Sequence, residues 1–174
     1  MLHIPDHFQL KNFANSHIII TPDGYFVNNV AQQERKELLN EFHLLKGENC
    51  KIEIQGKLET LRIIELNNCE IFVGPVARSV SVDYCKDCIF QLASQQIRIH
   101  NSSKCTFYVL AKSGPIIEDC TEMKFGKYSY TFSSVNSLLE ETNLPETQNN
   151  WDQVRDFNWF KSTPSPNYSL ILPQ

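Results

Sequence analysis

Cys50-Lys51-Ile52-Glu53-Ile54, Cys69-Glu70-Ile71-Phe72-Val73, Cys88-Ile89-Phe90-Gln91-Leu92 and Cys105-Thr106-Phe107-Tyr108-Val109 are one pattern written four times. Each begins with cysteine and carries large apolar residues two and four positions later. Thr121-Glu122-Met123-Lys124-Phe125 reads as a fifth copy with the cysteine replaced. The starting residues lie 19, 19, 17 and 16 apart. A small residue follows each copy: Gly56, Gly74, Ala93, Ala111 and Gly126. The middle units then add a second alternating run, Leu61/Ile63, Val80/Val82 and Ile97/Ile99. Two short strands per unit, separated by a corner, predict the coils of a β-solenoid in which like residues stack in ladders. Antiparallel hairpins would match the density of strands but not the in-phase return of cysteine. The expected fold is all-β, a right-handed parallel β-helix with coils over residues 47–133.

The flanks read differently. In residues 1–46, Ile18, Ile19 and Ile20 form a β-branched run that ends at the turn signal Pro22-Asp23-Gly24. A short helix is expected next, from Asn29 as N-cap, with Gln32 three residues on, to Gly47 as C-cap. Ala31, Leu38, Phe42 and Leu45 would form its apolar side. In residues 134–174, a polar loop (134–148) precedes Asn149-Asn150-Trp151-Asp152-Gln153-Val154-Arg155-Asp156-Phe157-Asn158-Trp159. A solenoid end exposes raw apolar cross-section and unpaired strand edges. Trp151, Val154 and Phe157, at steps of three, suit a C-terminal cap, with a partner-binding surface as the alternative. The whole of 1–174 reads as one domain.

Composition narrows the function. The chain has 174 residues, 41% hydrophobic, with 16 basic against 20 acidic side chains and a net charge of −4. That balance disfavours nucleic-acid binding, which needs a basic face. No apolar run approaches the length of a membrane span. The N-terminus lacks the basic-then-apolar order of a signal peptide, so a cytoplasmic protein with reduced thiols is expected. Cys85 and Cys88 form a CxxC, but no second half of a zinc site accompanies it, and Cys88 already belongs to the coil-start ladder. The six glycines form no phosphate-binding loop, so no cofactor is expected. One segment stands out for chemistry. If Ile97 and Ile99 point inward, Gln96, Arg98 and His100 point outward in a row, holding a guanidinium on a rigid face.

Several motifs resemble the tubulin-binding cofactor C family, in its β-helical C-terminal domain. They are Gly74-Pro75-Val76 with Ser79-Val80-Ser81-Val82-Asp83, Gln95-Gln96-Ile97-Arg98-Ile99-His100, and Ile116-Ile117-Glu118-Asp119-Cys120. The tail residues Asn149 to Val154, Asp156 to Trp159 and Ser165-Pro166-Asn167 extend the match. The resemblance implies a β-helix and an activity. Cofactor C acts with cofactors D and E on the αβ-tubulin dimer, stimulating GTP hydrolysis by β-tubulin and release of the folded dimer. It implies Arg98 as an arginine finger given in trans, Gln95 in support, and Glu118 orienting the guanidinium by a bidentate pair. GTP and Mg²⁺ would belong to the partner. Gln96, His100, Trp151, Phe157, Asn158 and Trp159 are candidate partner contacts, and a monomer is expected. Family members carry an N-terminal helical domain for which these residues leave no room. The competing readings are an activator of an Arf-like GTPase and a non-catalytic cytoskeletal binding module of the same fold. The missing Met-Gly start weighs against the first, and Arg98 against the second.

Overall fold

Inward apolar pairs at this period can be buried only by the coils above and below. The computed structural model, which describes residues 9–34 and 40–174, has them stacked in that way. The chain runs through β1 (Gln9–Ala14), β2 (His17–Thr21), β3 (Gly24–Val27), β4 (Val30–Glu34), β5 (Glu41–Glu48), β6 (Lys51–Ile54) and β7 (Leu58–Asn67). It continues through β8 (Glu70–Val73), β9 (Val76–Asp83), β10 (Ile89–His100), β11 (Thr106–Ala111), β12 (Ile116–Glu118) and β13 (Met123–Lys127). A helix, α1 (Val135–Glu141), and a 3-10 turn, Glu146–Gln148, precede β14 (Arg155–Asp156) and β15 (Tyr168–Leu170). Parallel pairing joins β1, β5, β7, β9, β10, β12 and β14 along one face. It joins β2, β6, β8, β10, β11, β13 and β15 along a second face. Strand β10 is long enough to serve both. A third side is narrow, with single bridges from Asn67 to Lys86 to Ser103 to Thr121. This is a parallel β-helix.

The corners explain how such different residues keep one path. Asn12, Lys46, Glu65, Tyr84, Asn101 and Asp119 occupy equivalent positions, as do Asn15, Asn49, Asn68, Asp87, Lys104 and Glu122 three residues later. All twelve are left-handed, with φ between 50° and 61°. Non-glycine residues pay a steric cost there, least for Asn and Asp. Backbone hydrogen bonds to the next coil offset it: Asn49 N–H donates to Asn67 O, Asn68 N–H to Lys86 O and Asn101 N–H to Glu118 O, each at 3.1 Å. Between the two ladders lies one inward position per coil, filled by Phe13, Gly47, Leu66, Cys85, Ser102 and Cys120. A Cβ on Gly47 would sit 2.0 Å from the Phe13 ring, so the glycine makes room for the aromatic above it.

Three sequence expectations change here. The N-terminal helix is not present in the described part of its span: residues 30–34 and 41–48 are strands, and 35–39 lie outside the described residues. Asn29 is no N-cap. With Asn28 it forms a two-residue hairpin turn, both at positive φ (48° and 67°), as a type I′ turn requires. Phe42 and Leu44 alternate inward because β7 pairs along β5, so Gly47 is a corner residue. The solenoid therefore begins before the cysteine repeat, at β1 and β2. The fifth repeat is also shifted: Phe107 faces Phe125, which puts Met123, not Thr121, opposite Cys105. A slip of two residues preserves the inward-outward alternation, so the pattern alone concealed it. Finally, residues 134–148 contain α1 rather than only loop.

Both ends are covered. At the N-terminal end the β3–β4 hairpin pairs antiparallel with β2, and Tyr25 and Val27 pack on the core. At the other end Phe90, Phe107 and Phe125 stack at 4.6 and 5.6 Å, and Tyr168 closes the column edge-on at 6.1 Å. Trp151 is 6% exposed within the same core, so it is part of the cap rather than a surface anchor. The chain after β13 returns across the outside of the second face. Tyr128 donates to Val73 O at 2.6 Å, Ser129 exchanges hydrogen bonds with the Gln91 amide, and Tyr130 donates to Glu53 at 3.1 Å. Val135, Leu139 and Leu144 then pack on Ala93 and Leu110. This strap occupies the second face and leaves the outward side chains of β7, β9 and the later part of β10 half-buried or exposed on the first.

The tail is pinned by one carboxylate. Asp156 accepts from Ser165 Oγ at 2.6 Å, Asn167 Nδ2 at 2.8 Å and the Asn158 N–H at 3.0 Å. Partial burial opposes its charge, but these donors outweigh it and hold the carboxyl below its ordinary value of 3.8. All six cysteines are free and buried. Cys50, Cys69, Cys88 and Cys105 each donate a thiol hydrogen bond to the carbonyl two residues back, at 3.2 to 3.4 Å. A small, weakly polar side chain therefore suits the coil start. Cys85 belongs to the other ladder, and its nearness to Cys88 in sequence is a corner of the coil. The neighbouring Cys105 thiol and burial, against an opposing pull from Cys69, push Cys88 up to about 12. Burial pushes Cys85 up as well.

Three outcomes are expected. Reductant and chelator should leave the melting temperature unchanged, and a thiol reagent at pH 8 should label native protein only at the rate of unfolding; rapid labelling would refute the buried ladders. Trp151→Ala should destabilise the fold by about 3–5 kcal/mol, as truncating a buried tryptophan does, measured by urea unfolding. Asp156→Asn should cost about 1–2 kcal/mol, discounted for partial exposure, and speed tryptic cleavage at Lys161. Because the folded carboxyl titrates below the unfolded one, this contribution is present above pH 3.8 and lost as pH falls below it. The wild-type advantage over Asp156→Asn should shrink accordingly in acid melts.

Candidate functional site

Strand β10 is paired on both sides where Arg98 stands, with Ser81 of β9 on one side and Ile116 of β12 on the other. Its neighbours Ile97 and Ile99 are wholly buried. Arg98 is accordingly aimed outward and exposed, on backbone that two ladders hold in place. Gln96 lies outward opposite Ser79, and His100 opposite Asp83 and Glu118. The row read from sequence is therefore real as geometry.

Gln95 reaches the same surface by a different route. Three residues before Arg98 in a regular strand, it would face the opposite way. The register shifts between Ser94 and Gln96, where β10 turns from the second face to the first, and this irregularity leaves Gln95 and Gln96 both exposed. Such a re-aimed side chain is what a β-bulge produces.

Glu118 stands elsewhere than expected. Since β12 pairs Ile116 with Arg98, Glu118 falls two residues further on, beside His100. Its Oε2 lies 3.8 Å from His100 Nε2, and Asp83 Oδ1 lies 3.7 Å from Nδ1 on the other side. No ion pair or hydrogen bond joins Arg98 to Glu118 or to Gln95 in the structure. The bidentate Arg98–Glu118 pair is thus replaced by a histidine set between two carboxylates, because the register and not the chain distance selects the partner.

The tail residues divide. Trp151 is in the core, and Asn158 is committed to the corner at Asp119, accepting from its N–H and donating to its carboxylate. Phe157, directly after β14, continues the outward column of Glu118 and is 44% exposed. Trp159 is half-buried, its indole N–H donating to Thr163 O at 2.7 Å, with Lys161 over the ring. Two arginines escaped the sequence reading. Arg62 faces Ser81 from the opposite side to Arg98, and Arg155 faces Ile116, so both share the outward row of Arg98. Leu61-Arg62-Ile63 repeats the setting of Ile97-Arg98-Ile99 and could have been read; nothing local to Arg155 marks it. Among the described residues no group of three or more His, Cys, Asp or Glu side chains is arranged to hold a metal ion.

The likeness to known proteins follows the same part of the chain. The sequence model of the family described as tubulin binding cofactor C matches residues 39–157. Tubulin-specific chaperone C of Mus musculus is 34% identical over 145 residues, which cover 82% of this chain and 42% of that protein. Tubulin-folding cofactor C of Arabidopsis thaliana is 37% identical over 133 residues, covering 76% of this chain and 39% of that one. The chain thus spans about two fifths of the length of these curated relatives. Among solved structures, tubulin binding cofactor C from Leishmania major is similar at a TM-score of 0.60 and 25% identity, over 67% of this chain and 81% of that one. With family match and fold agreeing over the coils that carry Arg98, the chain belongs to the tubulin binding cofactor C family.

Proposed function

We propose that this chain is a GTPase activator that supplies Arg98 in trans to β-tubulin, acting with tubulin-binding cofactors D and E in the folding and release of the αβ-dimer. The observation that carries the reading is Arg98 itself: exposed, without an ion-pair partner among the described residues, and mounted on a strand paired on both sides. A guanidinium neutralised by a neighbouring carboxylate would have to surrender that pair before reaching a phosphate. Arg98 has none to surrender.

The chemistry is that of phosphoryl transfer. Charge spreads over the equatorial oxygens of the departing phosphoryl group, and a planar guanidinium can hydrogen-bond to these and to the leaving oxygen at once. Fingers of this kind contribute about 10³–10⁵ in rate, or about 4–7 kcal/mol of barrier. Rigid mounting matters because a donor already in place costs no reorganisation at the transition state. GTP and Mg²⁺ are the partner's substrate and ion. Gln95 supports the arginine from the bulge beside it. Gln96, His100, Phe157 and Trp159 serve as contacts for the GTPase, with Glu118 and Asp83 flanking the His100 ring. The chain acts as a cytoplasmic monomer in this reading. No helix among the described residues is long and apolar enough to cross a membrane.

Arg98→Ala should fold normally, with stability within about 0.5 kcal/mol of wild type, since it removes an exposed side chain. Tubulin GTP turnover in the presence of cofactors D and E should fall by about three orders of magnitude relative to wild-type stimulation. Arg98→Lys should fail to restore it, because an ammonium keeps the charge but loses the fork. Equal stimulation by wild type and Arg98→Ala would overturn the reading.

A further inference from the structure

Along the first face, the outward row that contains Arg98 reads His43, Arg62, Ser81, Arg98, Ile116, Arg155 across six successive strands. Three of the six positions are arginine, on every second strand. All three are exposed, and none forms an ion pair among the described residues. None of the described carboxylates nearby pairs with these arginines. Glu41 lies 2.8 Å from His43, Asp83 and Glu118 flank His100, and Glu59 pairs with Arg78 at 3.2 Å. Strands in a ladder stand about 4.8 Å apart, so the backbones at Arg62 and Arg155 lie about 9.6 Å to either side of that at Arg98 along the solenoid axis.

We infer that Arg62 and Arg155 are docking residues that seat this face on acidic side chains flanking the nucleotide pocket of the partner GTPase. The inference rests on the reading of Arg98 as the finger and names the partner surface which that reading needs. A single guanidinium supplies chemistry but little orientation. Two further cations, mounted on evenly spaced strands to either side, define an axis, and the carboxylates that accept them flank the γ-phosphate on both sides. Charge supports this choice of occupant. The chain as a whole carries −4 and repels an acidic partner, so an unpaired cationic row is where its field favours approach. Phe157, exposed in the next column on the same strand end as Arg155, supplies apolar contact beside the charges.

The test measures association of the full chain with GTP-loaded αβ-tubulin, and tubulin GTP turnover as a function of chain concentration, with cofactors D and E present. Arg62→Glu and Arg155→Glu should each slow association about tenfold at low salt, with the gap closing at 0.5 M NaCl, where screening is nearly complete. The concentration for half-maximal stimulation should rise in parallel, while turnover at saturating chain stays at the wild-type value. Arg78→Glu makes the same change of charge off the row and should have little effect. Unchanged melting temperatures exclude a folding defect as the cause. Wild-type association by both reversals, or an equal loss from Arg78→Glu, would overturn the docking row. Loss of saturating turnover with unchanged association would overturn it too, since the arginines would then touch the reacting groups. Arg98→Ala separates the two claims: full stimulation by that variant refutes the finger, whatever the flanking reversals do. Failure of the wild-type chain to bind or stimulate refutes both.

Discussion

The parallel backbone ladder between coils is the constraint on which the rest of this molecule depends. Each coil hydrogen-bonds to the next in a fixed register, so a residue's environment is set by its equivalents above and below rather than by its chain neighbours. That is why twelve corner residues of five kinds share one left-handed conformation, and why Lys46, Glu65 and Tyr84 accept a backbone that Asn or Asp adopts at less cost. It is also why Phe13 can fill the space over Gly47, and why three phenylalanine rings form one column closed by Tyr168. A shift of one coil by one residue would turn every inward side chain of that coil outward.

The same ladder sorts the surface. An outward position on one strand is continued by the outward position on the next, so columns of exposed side chains run along the axis. The returning strap of Tyr128 to Leu144 covers the columns of the second face, using Glu53, Gln91 and the Val73 carbonyl as its anchor points. The first face keeps its columns open. One of them alternates acid and imidazole through Asp83, His100 and Glu118, and the column beside it carries the arginines. No carboxylate of the first column pairs with an arginine of the second. An acidic chain thereby presents a local cationic line, at the one place where the proposed phosphate chemistry needs it.

The tail completes the solenoid by a different kind of interaction. Two residues of β14 and three of β15 extend the two faces by one more layer, which is too little backbone pairing to hold a long loop. Asp156 makes up the difference by gathering Ser165, Asn167 and the Asn158 N–H onto one carboxylate, while Asn158 clips the same segment to the corner at Asp119. With Trp151 in the core, a polar knot and an apolar plug both hold this end. Arg155 and Phe157 are presented at the surface by that arrangement.

Sequence by itself determined the features that repeat. Cysteine and paired apolar residues returning near every eighteenth position specify coils, inward ladders and, by alternation, the outward aim of Arg98, because period-two burial is a local property of strands. Tertiary register decided the rest. The span around Phe42 and Leu45 satisfies helical and strand spacing alike, and only the open edge of β7 makes it a strand. Asn28-Asn29 marks a turn as readily as a helix start until β3 and β4 pair around it. Met123 rather than Thr121 stands opposite Cys105, since a two-residue slip leaves the alternation intact. Glu118 meets His100 instead of Arg98, and Arg62 and Arg155 align with Arg98, because which side chains face each other across coils depends on the loop lengths between strands. Loop lengths can be counted in a sequence, but the path of each loop is fixed only when its flanking strands have paired.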